Sequence, residues 1–404
     1  MLEMLSIIGV AIAFVLIIVL IGKEVKLGYA MLWGSVVIAI TSQIDLAGLL
    51  AIIGTGVLSG DTLELIVIVV LIGVLARFMK ETDLLSELIE SYSYILGSQR
   101  VTAAFIPSIM GALPIPGGAI MSAPMVESVG DNIKLSAREQ MSVNLLYRHI
   151  WLFVFPITPP LLLTASLSQL GVFTLIKMQF PITIVMGAVG YYFLLSKYRH
   201  SEVPSTTELP KQELSKVLKK LLVSTLPLLI SLGLPLLTGL SFVISLLIAL
   251  LLIVIIRYQQ FNLSLLTSSF NYELTLAIVG IMVFQEFVNQ GPDLELLTGF
   301  LLNLGLPITF LVVLMPALIA YVTGNTTAAI GITFPLLLPL VGYDSTMVML
   351  MYGAAFFAYF LSPLHFCLIL TKEYFGTRIS SIYRELFWPW VVGVFTLVVL
   401  VIIY

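Results

Sequence analysis

The chain has 404 residues, of which 59% are hydrophobic and only 10% are charged, and its mean hydropathy is +1.11. These values lie outside the range of soluble domains, so the sequence predicts an integral membrane protein. The net charge of -3, without a strongly basic region, argues against nucleic acid as a partner. A single cysteine, Cys367, excludes a disulfide framework.

Apolar runs near the length of about 20 residues that crosses a bilayer recur along the whole chain. We therefore predict an all-α polytopic protein with about ten transmembrane spans, rather than a single anchor or a β-barrel. The N-terminus lacks the basic region of a cleaved signal peptide, so the first run is interpreted as a retained span. Residues 1–60 are predicted to form spans of a scaffold.

The next unit, residues 61–196, contains two interruptions of apolar sequence. Residues 101–128 are broken by Pro114-Ile115-Pro116-Gly117-Gly118, and each flank is too short to span alone. Unpaired backbone is costly in hydrocarbon, so this pattern predicts a re-entrant hairpin with its tip near the midplane. The following apolar stretch is broken at Ile157-Thr158-Pro159. Each interruption therefore marks a place where the backbone needs protein or water as a partner.

Two ionisable residues, Arg148 and His149, precede the second interruption. About ten helical residues cover about 15 Å, which favours a position near the interface, with Arg148 extending its charged end toward water. The alternative is that Arg148 pairs with an anion and His149 carries a proton, since ionisable residues at membrane depth commonly line a cavity.

The polar connection at residues 197–220 fixes an expected orientation. It carries six basic and three acidic residues, so the positive-inside rule places it in the cytoplasm. Counting spans from it puts Lys26 and Arg257 on the same side. Residues 221–269 are predicted to form connecting scaffold spans, and we expect the inner (plasma) membrane of a prokaryote.

Residues 270–385 repeat the pattern of the first unit. Glu64 and Glu273 are 209 positions apart, and so are Pro107 and Pro316. A second interrupted segment, residues 306–341, contains the polar run 323–327, and a second break falls at residues 362–363, before a final span at 386–404. The span count gives the two units opposite orientations. Inverted repeats with paired interrupted segments are typical of secondary transporters that bind their substrate at the midplane.

These features resemble the ion transporter superfamily, which includes divalent-anion/sodium symporters, citrate carriers, gluconate permeases and the large subunits of TRAP transporters. Gly324-Asn325-Thr326 is similar to its Ser-Asn-Thr hairpin signature, and Thr158-Pro159 and Ser362-Pro363 resemble its paired breaks. The first hairpin departs from the pattern, because Ile115-Pro116-Gly117 stands in the place of Ser-Asn-Thr. The resemblance implies a homodimer that moves a carboxylate with Na⁺ by an elevator-type mechanism.

The resemblance, together with the polar chemistry of the tips and breaks, gives two sets of candidate residues. The predicted substrate-binding residues are Pro116, Gly117, Gly118, Thr158, Pro159, Asn325, Thr326, Thr327, Ser362 and Pro363. The predicted ion-coupling residues are Gly117, Ile157, Thr323, Gly324, Asn325, Leu361 and His365, with Na⁺ at Gly324 and Asn325. His365 lies beside a break, which makes it a candidate for proton coupling.

The sequence therefore predicts a secondary transporter of a small organic anion, coupled to Na⁺ or H⁺, with no other cofactor. Two alternatives remain open: an exchanger of inorganic ions such as Na⁺ and H⁺, and a membrane subunit that works only with a partner protein. An intramembrane hydrolase is disfavoured because the sequence lacks His-Glu-x-x-His and Gly-x-Gly-Asp motifs. A nucleotide-binding Gly-x-x-x-x-Gly-Lys-Ser/Thr loop is also missing. We therefore do not expect an enzyme.

Overall fold

The computed structural model describes residues 2–112, 118–198, 211–260, 270–290 and 307–404, and every regular element in these ranges is helical. Six helices there are long and apolar enough to cross a bilayer. Large apolar side chains such as Ile40, Leu237 and Ile402 are exposed on the helix surfaces, where lipid would cover them. The chain is an all-α membrane protein.

The described helices up to residue 198 are α1 (Leu2–Gly22), α2 (Leu27–Thr41), α3 (Leu46–Leu58), α4 (Gly60–Glu81), α5 (Leu84–Leu96), α6 (Gln99–Ala112), α7 (Gly118–Asn132), α8 (Ala137–His149), α9 (Pro159–Ser168) and α10 (Val172–Gly190). A short 3₁₀ helix, Ile150–Phe153, follows α8, and a π-helical turn, Tyr191–Leu195, follows α10.

The described helices from residue 211 onward are α11 (Lys211–Thr238), α12 (Phe242–Ile256), α13 (Tyr272–Gln290), α14 (Ile308–Thr323), α15 (Thr326–Leu337), α16 (Ser345–Leu361), α17 (Phe366–Phe375) and α18 (Ile379–Ile403). The amphipathic piece predicted at 293–302 lies outside the described residues. The predicted linker at 197–220 needs correction, because its last ten residues form the start of α11 rather than a loop.

Local sequence explains where the central helices begin and end. The Asp344 carboxylate accepts a hydrogen bond from the Met347 backbone N–H at 2.9 Å and caps α16. Before α8, Lys134 has a left-handed φ of 62°, and before α16, Tyr343 has a φ of 58°. Helices α9 and α17 are both ten residues long, and each is followed by a left-handed residue. The turn before α8 is therefore similar to the turn before α16, and the turn after α9 is similar to the turn after α17.

Three helices form the centre of the bundle. Every residue of α8 from Glu139 to His149 is buried, as is every residue of α15 from Ala328 to Leu337. In α16 the same holds from Val348 to Phe357. Helix α8 differs from the other two because it carries charged and amide side chains into this buried position. Polar groups buried in this way need partners, and those partners define the candidate site.

Helix packing follows the same pattern in both halves. Helix α6 packs against α7 and α8, and α14 packs against α15 and α16. Between the halves, α7 packs against α17 while α9 packs against α15, and α10 lies alongside α18. Since α7 corresponds in order to α15 and α9 to α17, the contacts between the halves are reciprocal.

The buried Glu139 carboxylate connects α8 to the residues that follow the π-helical turn after α10. Glu139, whose side chain is only 8% exposed, lies 2.6 Å from Lys197 Nζ and accepts a hydrogen bond from the Tyr198 hydroxyl. It also accepts from the Ser136 backbone N–H at 2.9 Å. A carboxylate with this many donors is stabilised in its charged form, so the interaction should contribute to the stability of the fold.

We predict that Glu139→Gln lowers the free energy of unfolding by about 1–3 kcal/mol, because it leaves polar donors around a neutral amide in a buried place. The matched control is Glu81→Gln, which removes a pair with Arg77 whose side chains are 39% and 42% exposed. Exposed pairs contribute about 0–1 kcal/mol. Thermal unfolding of both variants in detergent tests this, and equal losses of stability would contradict it.

Candidate functional site

The first helix break begins after His149, where α8 ends and the 3₁₀ turn Ile150–Phe153 follows. Helix α9 begins at Pro159, and Thr158 is its N-cap residue. The Thr158 hydroxyl donates to the Phe155 backbone oxygen at 3.1 Å, within the break itself. The α-helical interruption is thus longer than the sequence indicated, because it begins at Ile150 rather than at Ile157.

The second helix break separates α16, which ends at Leu361, from α17, which begins at Phe366. The Ser362 hydroxyl donates to the backbone oxygen of Tyr321 at 2.5 Å and accepts from the Leu364 N–H at 3.1 Å. Tyr321 lies in the last turn of α14. Ser362 therefore joins the break to the helix that leads to the second predicted tip.

Hydroxyl groups from the next helix also bond the carbonyls at both breaks. Thr183 of α10 donates to the Ile150 oxygen at 2.8 Å, and Tyr383 of α18 donates to the Leu361 oxygen at 2.7 Å. These carbonyls lie where the regular α-helical hydrogen bonding of α8 and α16 ends. In both halves the exposed backbone is thus satisfied by side chains rather than left unpaired.

Arg148, which is only 9% exposed, contacts both helices that flank the first predicted tip. Its Nη1 donates to the Met110 oxygen, in the last turn of α6, at 2.8 Å. A Cβ atom on Gly118, at the start of α7, would lie 2.6 Å from Nη2. The guanidinium therefore sits directly against the N-terminus of α7. Among the described residues no carboxylate forms an ion pair with it.

Asn144 adds a neutral polar group at the same place. Its side chain is fully buried, its Oδ1 accepts from the Ser122 hydroxyl at 2.7 Å, and its Nδ2 donates to the Ala119 oxygen at 3.1 Å. Ala119 and Ser122 belong to the first turns of α7. Arg148 and Asn144 thus approach the same helix start from α8.

The second predicted tip is a left-handed turn followed by a capped helix. Gly324 has a φ of +60°, and a Cβ atom there would lie 2.4 Å from the Leu364 oxygen, so this position requires glycine. The exposed Asn325 accepts from the Ala328 N–H at 3.1 Å and caps α15. Thr323 donates to the Asn325 backbone oxygen at 3.3 Å.

The neighbouring threonines differ in their surroundings. Thr326 is 4% exposed, and its buried hydroxyl has no hydrogen-bond partner among the described residues, whereas Thr327 is half-buried. A buried hydroxyl without a partner is costly, which makes Thr326 a candidate to contact a bound ion or ligand.

Two histidines, one at each helix break, contact each other. Nε2 of His149 lies 3.0 Å from Nε2 of His365, and both side chains are buried. The ring of Tyr359 lies beside them, with its centroid 4.1 Å from that of His365. Arg148 and His149 are both buried, so Arg148 does not extend its charged end into water as predicted, while their distance from the membrane interface stays a prediction. They are buried because α8 lies at the centre of the bundle, where other helices cover all its sides.

The structure brings together only part of the predicted set. Ser362, Gly324 and His365 lie side by side, with Asn325 next in the chain. The Thr158 hydroxyl donates to a backbone oxygen within its own break. Ile157 is fully buried, Leu361 and Pro159 are partly buried, and Pro363 is exposed. Gly118 contacts Arg148. Pro116 and Gly117 lie outside the described residues.

Two site residues, Arg148 and Asn144, were not among the predicted binding set. The signal that could have found them is the composition of α8, which carries Glu139, Gln140 and Asn144 as well as the Arg148-His149 pair between two apolar segments. Polar residues at that density in a membrane helix indicate a position inside the bundle or beside a cavity.

We predict that Gly111→Ala destabilises the protein more than Gly118→Ala. A Cβ atom on Gly111 would lie 2.0 Å from the backbone oxygen of Arg148, which cannot move away, so a cost of about 1–3 kcal/mol is expected. At Gly118 the clash is with the end of the Arg148 side chain, which can shift. Thermal unfolding in detergent measures both variants, and the reverse order would contradict this packing.

The sequence matches the family described as "Protein of unknown function (DUF401)" over residues 4–404. Comparison of the chain with curated proteins gives no match. The family description assigns no activity, so the function has to be argued from the residues around the two breaks. With the match covering nearly its whole length, the chain belongs to the DUF401 family.

Proposed function

We propose that the chain is a secondary active transporter that carries a small organic anion, a carboxylate, together with Na⁺ or H⁺. The observation that carries the proposal is the Arg148 guanidinium, which is buried against the start of α7 with no acidic partner among the described residues. A buried unpaired charge is expensive, and a bound anion would compensate it.

The surroundings of Arg148 suit a carboxylate. The N-terminus of α7 supplies backbone N–H groups and the positive end of a helix dipole. The guanidinium presents parallel N–H donors that match the two oxygens of a carboxylate. One of them, Nη1, donates to Met110, and among the described residues no other hydrogen-bond acceptor of the guanidinium is found. The Asn144 amide lies beside the same turn.

The packing of the helices supports two inverted repeats, each with a hairpin and a broken helix. Helices α6 and α7 correspond to α14 and α15, and their contacts with the following helices are reciprocal between the halves. The resemblance to the ion transporter superfamily implies elevator-type alternating access and a homodimer, and both belong to the proposal. In the proposed mechanism, the hairpins and the broken helices form the moving domain, while α1 to α3, α11 and α12 form the scaffold.

The basic residues support an orientation with the 197–220 segment in the cytoplasm. Lys197 bonds to Glu139 at the start of α8, and Arg138, Arg378 and Arg384 line one cavity near that end. Positive charge gathered at one end of a bundle is expected on the inner face of the membrane. We propose the plasma membrane of a prokaryote.

The coupling ion has two candidate places. Asn325, Thr326 and Thr323 offer oxygen atoms, which suit Na⁺, and the buried Thr326 hydroxyl has no partner. The His149 and His365 pair offers nitrogen atoms that suit a proton. The superfamily resemblance favours Na⁺ at Gly324 and Asn325. If substitution of Asn325 removes the Na⁺ dependence of uptake, the coupling ion binds at the tip rather than at the histidine pair.

We predict that Arg148→Gln reduces uptake of the transported carboxylate by about 10- to 100-fold, the worth of a hydrogen bond to a charged group. Radiolabelled succinate, citrate and gluconate are the probes, with purified protein in proteoliposomes. The control is Arg384→Gln, an exposed arginine at the end of the bundle. Uptake that is unchanged in Arg148→Gln, or reduced equally in both variants, would contradict the proposed role of Arg148.

We predict that Asn325→Ala removes the Na⁺ dependence of uptake or binding while the protein stays folded. Loss of the cap should cost about 0.5–2 kcal/mol of stability. Asp344→Ala is the matched control, because it removes an equivalent cap from α16 at a distance from the tip. A Na⁺ dependence that survives in Asn325→Ala would exclude Na⁺ coupling at this tip.

A further inference from the structure

A cluster of nitrogen and sulfur ligands lies beside the second break. His149, His365 and Cys367 each offer one ligand atom, and these atoms all lie within 4.8 Å of one another. His149 ends α8, whereas His365 and Cys367 belong to the start of α17. Both histidines are buried and the cysteine is partly buried. The cluster therefore joins two helices that are far apart in sequence.

The hydrogen bonds around His149 prepare it as a metal ligand. Its Nδ1 lies 2.6 Å from the Leu145 backbone oxygen, which can only accept, so Nδ1 carries the proton. Nε2 is then left with a lone pair. Metal-binding histidines usually have this arrangement, with the far nitrogen donating to a carbonyl or carboxylate that orients the ring.

Among the described residues, one ring nitrogen of His365 has a hydrogen-bond partner and the other has none. Its Nε2 faces Nε2 of His149 at 3.0 Å, and its Nδ1 is buried with no hydrogen-bond partner. The distance between the two Nε2 atoms is close to the separation of about 3.3 Å between two nitrogens bound to one tetrahedral Zn²⁺ at about 2.0–2.1 Å. A small movement of either ring would accommodate the ion.

We propose that His149, His365 and Cys367 bind a thiophilic divalent transition-metal cation of the Zn²⁺ class. Binding replaces the hydrogen bond between the rings with two metal–nitrogen bonds and forms one metal–sulfur bond, while the proton that His365 Nε2 donates to His149 in the metal-free protein moves to His365 Nδ1. The Cys367 thiol releases its proton to solvent, because only the thiolate is a strong ligand. Three protein ligands leave one tetrahedral position for water or a small anion.

The ligand chemistry separates this site from the proposed Na⁺ site at Asn325, whereas it uses the same histidines as the proposed proton alternative. Imidazole and thiolate favour Zn²⁺ and related ions, whereas Na⁺, Mg²⁺ and Ca²⁺ favour oxygen. The tip at Asn325 offers oxygen atoms, while the cluster offers two nitrogens and a sulfur. Metal binding at the cluster therefore goes beyond the proposed transport function and does not depend on it.

The first experiment is a Co²⁺ titration of the purified full-length chain in detergent. Co²⁺ reports a bound thiolate through a charge-transfer absorption band, so we expect this band to saturate at one ion per chain and to disappear when Zn²⁺ is added. In Cys367→Ser the band should be absent, and in His365→Asn the affinity should fall at least about tenfold. The control is His200→Asn, the third histidine of the sequence, which lies outside the described residues.

The second experiment needs no variant and therefore no assumption about folding. Cys367 is the single cysteine of the chain, so the rate of maleimide addition, followed by mass spectrometry, reports on it alone. Saturating Zn²⁺ should slow this reaction at least about tenfold, since a metal-bound thiolate is shielded. The same concentration of Mg²⁺ should have no effect.

Two results would overturn the metal site. One is an alkylation rate that Zn²⁺ leaves unchanged, and the other is Zn²⁺ or Co²⁺ binding of equal affinity in the wild type, Cys367→Ser and His365→Asn. Neither measurement requires transport, so failure of the metal site and failure of the transport proposal are distinguishable.

Discussion

The structure depends on satisfying backbone carbonyls at helix ends that lie inside an apolar bundle. Away from water, each unpaired carbonyl would cost several kcal/mol. Arg148 bonds the last turn of α6, Ser362 bonds the last turn of α14, and hydroxyls from α10 and α18 bond the ends of the two broken helices. These bonds connect the ends of α6 and α14 to the neighbouring breaks, which gives the bundle a polar centre.

Helix α8 concentrates this polar chemistry. At its C-terminal end, Arg148 contacts the start of α7 and His149 contacts His365 at the second break. Asn144, one turn earlier, completes the contacts to α7. A cation, a neutral amide and one imidazole thus lie within two turns of α8, and the second imidazole comes from the start of α17. The proposed anion and proton or metal chemistry would take place there, while the oxygen-rich tip at Asn325 is available to Na⁺.

Much of the helical organisation is readable from the sequence. Apolar length predicts most helices, and the polar run 323–327 and the prolines Pro159 and Pro363 predict where the described helices are interrupted. The early end of α8 is not readable, because Ile150–Phe153 contains no helix breaker and its 3₁₀ geometry follows from packing. The burial of Arg148 also escapes sequence reasoning. The burial of a residue of α8 depends on how many helices surround α8. Its distance along the helix from a break does not indicate this burial.

The most direct test of the central claim is a thermal-shift screen of the purified wild-type protein with small mono-, di- and tricarboxylates, with and without Na⁺ and at neutral and acidic pH. We predict that at least one carboxylate raises the unfolding temperature, corresponding to about 2.7 kcal/mol at 100 times its Kd, and that the rise requires Na⁺ or acidic pH. A protein that no carboxylate stabilises under any of these conditions would contradict an anion site at Arg148.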